Sequence, residues 1–258
     1  MRLIVVYGTH PDETKALEAG KSLATHPIRN VYPVAANLWA MQEGVRLIDI
    51  NMADAYPGSR NSPHYEERRA VEVLEEVGAR SPDAVIDLHG ISGGKKHAVF
   101  NPALGVSPAI LGALREFGVE DIVLCDFGLC SYVYNSCSVE ISSEEVAAYG
   151  IGFVREFFAN LANNPNPSPA RVTDFSWFKY SQVGGGGLHE SVIHPNDFTA
   201  EERAAYGSFL PLPPRVQQLL GSPVTLYAQN DLRLPNDQGY FTDLFEMTTA
   251  PDDSNWPR

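Results

Sequence analysis

The sequence has few cysteines and no long apolar run. Its three cysteines, Cys125, Cys130 and Cys137, are odd in number and form no Cys-x-x-Cys pair, which argues against a disulfide framework or a thiolate zinc site. No stretch approaches the ~20 apolar residues of a membrane span. The apolar run at residues 3–7 is too short for the core of a secretion signal. We therefore expect a soluble cytoplasmic protein.

Basic residues are also scarce. The 258 residues include 19 Lys and Arg against 32 Asp and Glu, which gives a formal net charge of −13. Such a charge repels phosphate groups, so neither nucleic acid nor an anionic membrane is an expected partner. The 44% hydrophobic and 20% charged residues are typical of a globular protein. No coiled-coil or interface pattern stands out, and the oligomeric state stays open.

Short apolar segments alternate with helical patterns through the first two-thirds of the chain. Strands are predicted at residues 3–7, 31–36, 47–50, 84–88, 121–125 and 138–142. Helices are predicted over residues 14–24, after Ser62-Pro63, after Ser107-Pro108, and from Ser142 towards Asn160. This alternation predicts an α/β fold, with a mostly parallel or mixed sheet and helices on both faces.

An Asn- and Pro-rich segment at residues 163–169 interrupts this pattern and has the composition of a linker. We predict a first domain over residues 1–167 and a smaller β-rich domain over residues 168–258. The four glycines at residues 184–187 lack the Lys-Ser/Thr of a phosphate loop, so we interpret them as a turn.

Histidines follow the carboxyl ends of two predicted strands. The first strand leads into His10 and Glu13, and the strand at residues 84–88 leads into His89. In open α/β sheets ligand sites form at this edge, and imidazole with carboxylate is a donor set that suits zinc. Three protein ligands leave a fourth position for water, as in catalytic zinc sites. The alternative is that His89 is a capped loop histidine with no metal.

Two more carboxylates lie near these positions in the sequence. Asp87 precedes His89 by two residues and is a candidate to orient its imidazole. Glu140 sits in an apolar strand just before a predicted helix cap, where a glutamate is costly unless it is paired or used. It is a candidate general base, or else an edge-strand glutamate that faces water.

Seven segments resemble motifs of the aspartoacylase and succinylglutamate desuccinylase family, and they follow the family order. The segments are 8–13, 49–51, 65–70, 86–89, 139–140, 192–196 and 236–240. The first resembles the Gly-Thr-His-Gly-Asn-Glu signature, the second the Asp-Leu-Asn-Arg element and the third the Tyr-Glu-x-Arg-Arg-Ala helix. The resemblance implies a zinc carboxypeptidase-like α/β domain, with a β-rich C-terminal domain over the site.

The resemblance also implies an activity, the cleavage of N-acyl amino acids into a carboxylate and a free amine. One zinc ion per chain would be held by His10, Glu13 and His89, and the substrate would be a small N-acyl amino acid. Glu140 would act as base and acid, and Arg46 would help to polarise the scissile carbonyl.

Substrate-binding positions of the family fall partly on different residues here. Asn51 and Tyr240 match two of them. Two arginines that bind substrate carboxylates in the family are replaced, one by Met52 and the other near Cys130. Arginine–carboxylate pairs are geometrically exacting, so we expect the same hydrolytic centre with a changed substrate.

Other residues and other functions remain open at this point. Arg60, Lys95 or Lys96 is a candidate replacement cation or, more simply, a surface charge. His194 is a candidate for the site entrance or for a structural role. The alternative functions are a metallocarboxypeptidase on short peptides and a non-catalytic protein that binds a metal or a small ligand.

Overall fold

Ten strands form one mixed sheet in the described part of the chain. The computed structural model describes residues 1–91, 95–164, 170–180, 209–212, 214, 217–218, 225–229 and 244–249. The strands are β1 (Leu3–Tyr7), β2 (Val31–Ala35), β3 (Ala84–Ile91), β4 (His97–Phe100), β5 (Asp121–Leu124), β6 (Ser136–Ser142), β7 (Ser176–Tyr180), β8 (Phe209–Pro211), β9 (Leu226–Gln229) and β10 (Leu244–Thr248). Their spatial order is β2-β1-β3-β6-β4-β5-β7-β10-β9-β8.

The first half of the sheet is parallel. Strands β2, β1, β3 and β6 run parallel to one another, whereas β4 is antiparallel to β6. Strands β5 and β7 then run parallel to β4, and β10, β9 and β8 follow as antiparallel neighbours. The parallel run brings the carboxyl ends of β1, β3 and β6 to the same edge.

Helices cover both faces of this sheet. They are α1 (Thr14–Thr25), α2 (Leu38–Glu43), α3 (Tyr65–Ala79), α4 (Pro108–Glu116), α5 (Ser143–Tyr149) and α6 (Gly152–Asn163). Side chains alternate along a strand, so Leu3, Val5 and Tyr7 pack with α1, α4 and α6, whereas Ile4 and Val6 pack with α3. The predicted α/β fold with helices on both faces is therefore confirmed. No helix in the described residues is long and apolar enough to cross a membrane.

The strand predicted at residues 47–50 is wrong, because this segment is a loop. The carboxylate of Glu66 accepts the backbone N–H groups of Ile48, Asp49 and Ile50 at 2.6, 3.1 and 3.2 Å. Those donors are therefore not available to a neighbouring strand.

Two predicted helix boundaries differ from the structure. The helix expected from Ser142 towards Asn160 is two helices, because Gly150, with φ 74°, ends α5 in a conformation that favours glycine. The helix expected after Ser62-Pro63 begins at Tyr65. Ser62 Oγ instead accepts the N–H of His64, at 3.0 Å.

Strand β7 continues the sheet of the preceding residues. It pairs in parallel with β5, with Ile122 opposite Trp177. Most of the predicted second domain lies outside the described residues, so the division into residues 1–167 and 168–258 stays a prediction.

Candidate functional site

The turn after β1 places His10 and Glu13 side by side. Gly8 has φ 72°, a backbone conformation suited to glycine. Glu13 then stands at the N-terminal cap of α1, and its N–H donates to the carbonyl of His10 at 3.1 Å. As a result, His10 Nδ1 lies 2.9 Å from Glu13 Oε1.

Strand β3 brings His89 to the same point. His89 Nδ1 lies 3.4 Å from Glu13 Oε2, and the rings of His10 and His89 are 5.0 Å apart. The N–H of Gly90 donates to Glu13 Oε2 at 2.8 Å. A Cβ at Gly90 would lie 3.2 Å from the Cβ of Ala16, so the glycine lets α1 approach β3 closely.

The three side chains form a buried cluster whose donor atoms fit a metal ion. Each of His10, Glu13 and His89 offers a nitrogen or oxygen, and these atoms all lie within 4.8 Å of one another. Their side chains are 9%, 4% and 7% exposed. Two imidazoles and one carboxylate are a known catalytic zinc donor set. The structure therefore brings together the three residues that the sequence singled out.

Each histidine directs its other ring nitrogen to a side-chain oxygen. His89 Nε2 lies 3.0 Å from Asp87 Oδ2, and Thr9 Oγ1 donates to Asp87 Oδ1 at 2.9 Å. His10 Nε2 lies 2.7 Å from Asn51 Oδ1. Such outer contacts fix the ring orientation of histidines that bind metals.

The charges in the cluster favour a cation at its centre. Burial alone would raise the pKa of Glu13, but the charge of His89 and hydrogen bonds with His10 and His89 hold that pKa well below its ordinary value. Burial alone would lower the pKa of His89, but Asp87 and Glu13 raise it well above its ordinary value. Two carboxylates thus stabilise a positive charge here, which a proton on His89 or a divalent cation supplies.

Glu140 lies beside the cluster on the next strand. In the parallel register of β3 and β6 it is opposite His89, and its Oε1 lies 4.0 Å from His89 Nδ1. Its side chain is 17% exposed. Because β6 lies between β3 and β4, the alternative of an edge-strand glutamate is wrong.

Arg46 reaches the cluster from the loop after α2. Its Nη1 lies 3.7 Å from Glu13 Oε1, and it donates to Asp12 Oδ1 and Oδ2 at 3.0 and 3.1 Å. The pairing of Asp12 with Arg46 was not predicted from the sequence. Its signal was the position between the two candidate ligands, where the resembling signature has asparagine.

The residues at the two replaced arginine positions are buried. Met52 is fully buried in the apolar cluster under α3. Cys130 is 1% exposed, and its Sγ lies 3.7 Å from that of Cys125. Neither side chain supplies a positive charge for a substrate carboxylate.

The three candidate replacement cations each pair with a glutamate. Arg60 pairs with Glu75, Lys95 with Glu120 and Lys96 with Glu145. These pairs favour the simpler interpretation as structural or surface charges. Tyr240, His194 and the glycines at 184–187 lie outside the described residues.

The fold is shared with solved structures of succinylglutamate desuccinylases and of an aminoacylase. The succinylglutamate desuccinylase from Chromobacterium violaceum superposes with a TM-score of 0.63 at 17% identity, over 97% of this chain and 85% of that one. Murine aminoacylase 3 gives 0.62 at 14%, over 97% of both chains. The desuccinylase from Vibrio parahaemolyticus gives 0.61 at 15%, over 96% of this chain and 82% of that one.

Comparison of the sequence with protein-family models and with curated proteins found no match. The fold nevertheless matches the one that the motif resemblance implied: this chain has the fold of the succinylglutamate desuccinylases and of aminoacylase 3.

Proposed function

We propose that this protein is a zinc-dependent hydrolase that cleaves the amide bond of a small N-acyl amino acid. The observation that carries the proposal is the buried cluster of His10, Glu13 and His89 with Glu140 beside it. The shared fold supports it, because the similar structures are named as desuccinylases and an aminoacylase. The motif resemblance leads to the same reaction.

His10, Glu13 and His89 would hold one zinc ion per chain. Bound zinc supplies Lewis-acid chemistry, which polarises a carbonyl group and lowers the pKa of water. The low pKa of Glu13 keeps its carboxylate ionised at neutral pH, the form that binds a cation. Asp87 orients His89 through its contact with Nε2.

Glu140 would move the proton in this reaction. Its carboxylate takes a proton from the attacking water and returns it to the nitrogen of the departing amine, which is a poor leaving group when unprotonated. A positioned acid and base of this kind contributes about 10²–10⁴-fold in rate. The 4.0 Å between Glu140 and His89 puts the carboxylate beside the cluster.

Arg46 would stabilise the negative charge that develops on the acyl oxygen. Its two contacts with Asp12 hold the guanidinium near Glu13, so little reorganisation is needed during the reaction. Asn51 and Tyr240 are the proposed substrate contacts. The Asn51 oxygen already accepts from Ala53 and faces His10, so a substrate contact would come from its amide nitrogen. Tyr240 is proposed from the resemblance alone.

The substrate would differ from that of the resembling family. Met52 and Cys130 cannot bind a carboxylate as arginine does, which is the reason to propose a different acyl or amine part. The free, buried state of the three cysteines supports a reducing, cytoplasmic location.

Hydrolysis of a substrate panel tests the proposal. The panel consists of N-acyl amino acids with neutral, acidic and aromatic side chains, together with short peptides that have free carboxyl termini. We expect zinc-loaded protein to cleave at least one N-acyl amino acid. Cleavage of the peptides alone would indicate a metallocarboxypeptidase, and bound zinc without any cleavage a binding protein. Either result would overturn the proposal.

The role of Glu140 is tested with the same assay. Glu140→Gln should keep its zinc and lose about 10²–10⁴-fold in kcat. The matched control is Glu75→Gln, an exposed glutamate that pairs with Arg60. A Glu140→Gln variant as active as the parent would show that this carboxylate is not the base.

A further inference from the structure

Asn51 makes a contact that the motif resemblance did not assign to it. Its Oδ1 lies 2.7 Å from His10 Nε2 and 3.1 Å from the backbone nitrogen of Ala53. The resemblance implies that this asparagine binds the substrate, but in the structure its side-chain oxygen faces His10, a candidate metal ligand.

The second contact identifies the atoms. A backbone N–H can only donate, so the Asn51 atom that meets Ala53 is the side-chain oxygen and not the nitrogen. That oxygen can only accept, so His10 Nε2 must be the atom that carries the hydrogen. The other ring nitrogen of His10, Nδ1, is the one beside Glu13. Because Nε2 carries the hydrogen that Asn51 accepts, Nδ1 is the nitrogen left to present its lone pair to a cation, which would take the place of its hydrogen bond with Glu13.

The loop that carries Asn51 is fixed independently of His10. Glu66 accepts the N–H groups of Ile48, Asp49 and Ile50, and it is fully buried. Asp49 Oδ2 accepts the N–H of Tyr65 at 2.6 Å, which ties the loop to the start of α3. Asn51 is therefore held in place before it meets His10.

The two histidines are thus oriented in matching ways. His89 directs Nδ1 to Glu13 and Nε2 to Asp87. His10 directs Nδ1 to Glu13 and Nε2 to Asn51. The difference is that a neutral amide oxygen, and not a carboxylate, accepts from His10.

We infer that Asn51 is a positioning residue for His10, which fixes the Nε2–H tautomer and the ring orientation needed to bind zinc. The inference rests on the proposed zinc site. It gives Asn51 a role in metal affinity that a purely substrate-binding residue would not have.

Zinc affinity of Asn51 variants tests the inference. The probe is Zn²⁺ alone, titrated into metal-free full-length protein in competition with a chromogenic chelator. Asn51→Leu has a similar size and no acceptor, and should bind zinc about 10–100-fold more weakly than the parent. Asn51→Asp restores an acceptor oxygen and should recover most of the affinity. Asn163→Ala, an exposed asparagine on α6, is the control and should match the parent.

The outcomes separate this inference from the proposed function. If the parent binds no zinc, or if His89→Ala leaves binding unchanged, the proposed metal site is wrong. If the parent binds zinc and Asn51→Leu binds it equally well, only the role of Asn51 in zinc binding is overturned. A raised KM of Asn51→Leu would then indicate that Asn51 binds the substrate instead.

A second measurement uses the parent protein, so it does not depend on whether a variant folds. Nitrogen-15 chemical shifts of labelled histidines report which ring nitrogens carry a hydrogen. We expect His10 Nε2 to carry one in both the zinc-loaded and the metal-free protein. An unprotonated Nε2 would overturn the inference.

Discussion

Replacing Glu66 by glutamine tests how the loop at residues 47–51 is held beside the site. Glu66 Oε1 accepts from Ile48 and from Asn37 Nδ2, at 2.6 and 3.3 Å, and Oε2 accepts from Asp49 and Ile50 at 3.1 and 3.2 Å. Glutamine has one acceptor oxygen and an NH₂ group in place of the other. Donors would therefore face donors at one of the two positions.

The size of the effect follows from these contacts. A hydrogen bond to a charged group contributes about 1.5–3 kcal/mol, and a buried donor left without an acceptor costs about 1–3 kcal/mol. We expect the free energy of unfolding of Glu66→Gln to fall by about 3 kcal/mol. In a chain of this size that corresponds to a Tm lower by about 6 °C.

The effect should also depend on pH. Burial alone would raise the pKa of Glu66, but the N–H groups of Ile48, Asp49 and Ile50 hold it below its ordinary value. A carboxylate with a lowered pKa stabilises the fold above its ordinary pKa of about 4.3. That contribution is lost as the pH falls through the folded-state pKa. The stability difference between parent and variant should therefore be full at neutral pH and shrink in acid.

Urea unfolding followed by far-UV circular dichroism, at neutral pH and in acid, measures the free energy of unfolding and its pH dependence. The control is Glu67→Gln, the half-buried neighbour on the same helix turn, which should unfold like the parent. If Glu66→Gln unfolds like this control at neutral pH, or if its deficit is unchanged in acid, the reasoning about the loop is wrong.

Two further predictions concern the candidate ligands. Asp87→Asn should weaken zinc binding by about 10–100-fold in a chelator competition, because His89 loses its carboxylate partner, and an unchanged affinity would contradict that role. Gly90→Val should lower zinc content sharply, because even a Cβ there would lie 3.2 Å from the Cβ of Ala16 and 3.5 Å from that of Glu13. Gly78→Val, where a Cβ meets nothing within 4 Å, is the control, and equal zinc content in the two variants would contradict the packing argument.

Much of the fold could be predicted from local patterns. The fully buried strand at Leu3–Tyr7 is a continuous apolar run of mostly β-branched residues, which is typical of a parallel strand covered on both faces. Ser142 accepts the N–H of Glu145, as its capping spacing indicated. Patterns of this kind depend on a few neighbouring residues, and so they can be interpreted from one sequence.

The loop at residues 47–50 could not be predicted in this way. Its Leu-Ile-Asp-Ile composition is typical of a strand, but its backbone donors bind a carboxylate that lies on α3, at Glu66. The motif that contains Glu66 was recognised without any indication of what its carboxylate contacts. A contact between distant segments overrides the local preference here.

In the candidate site, too, the features set by local patterns could be predicted, and those set by contacts between distant segments could not. His10, Glu13 and His89 could be grouped because all three follow buried strands, whose carboxyl ends meet at one edge of a parallel sheet. The contacts of Asn51 with His10 and of Asp12 with Arg46 depend on how two loops fold over that edge. Residue type and spacing do not indicate how these loops fold, so the two contacts could not be predicted.

The zinc content of a His89→Ala variant tests the central claim most directly. Parent protein and the control His26→Ala, an exposed histidine after α1, should each bind one zinc ion per chain when measured by elemental analysis after loading and desalting. The His89→Ala variant should retain almost none. A variant that keeps the parent's full zinc content, or a parent that takes up no zinc, would contradict the account.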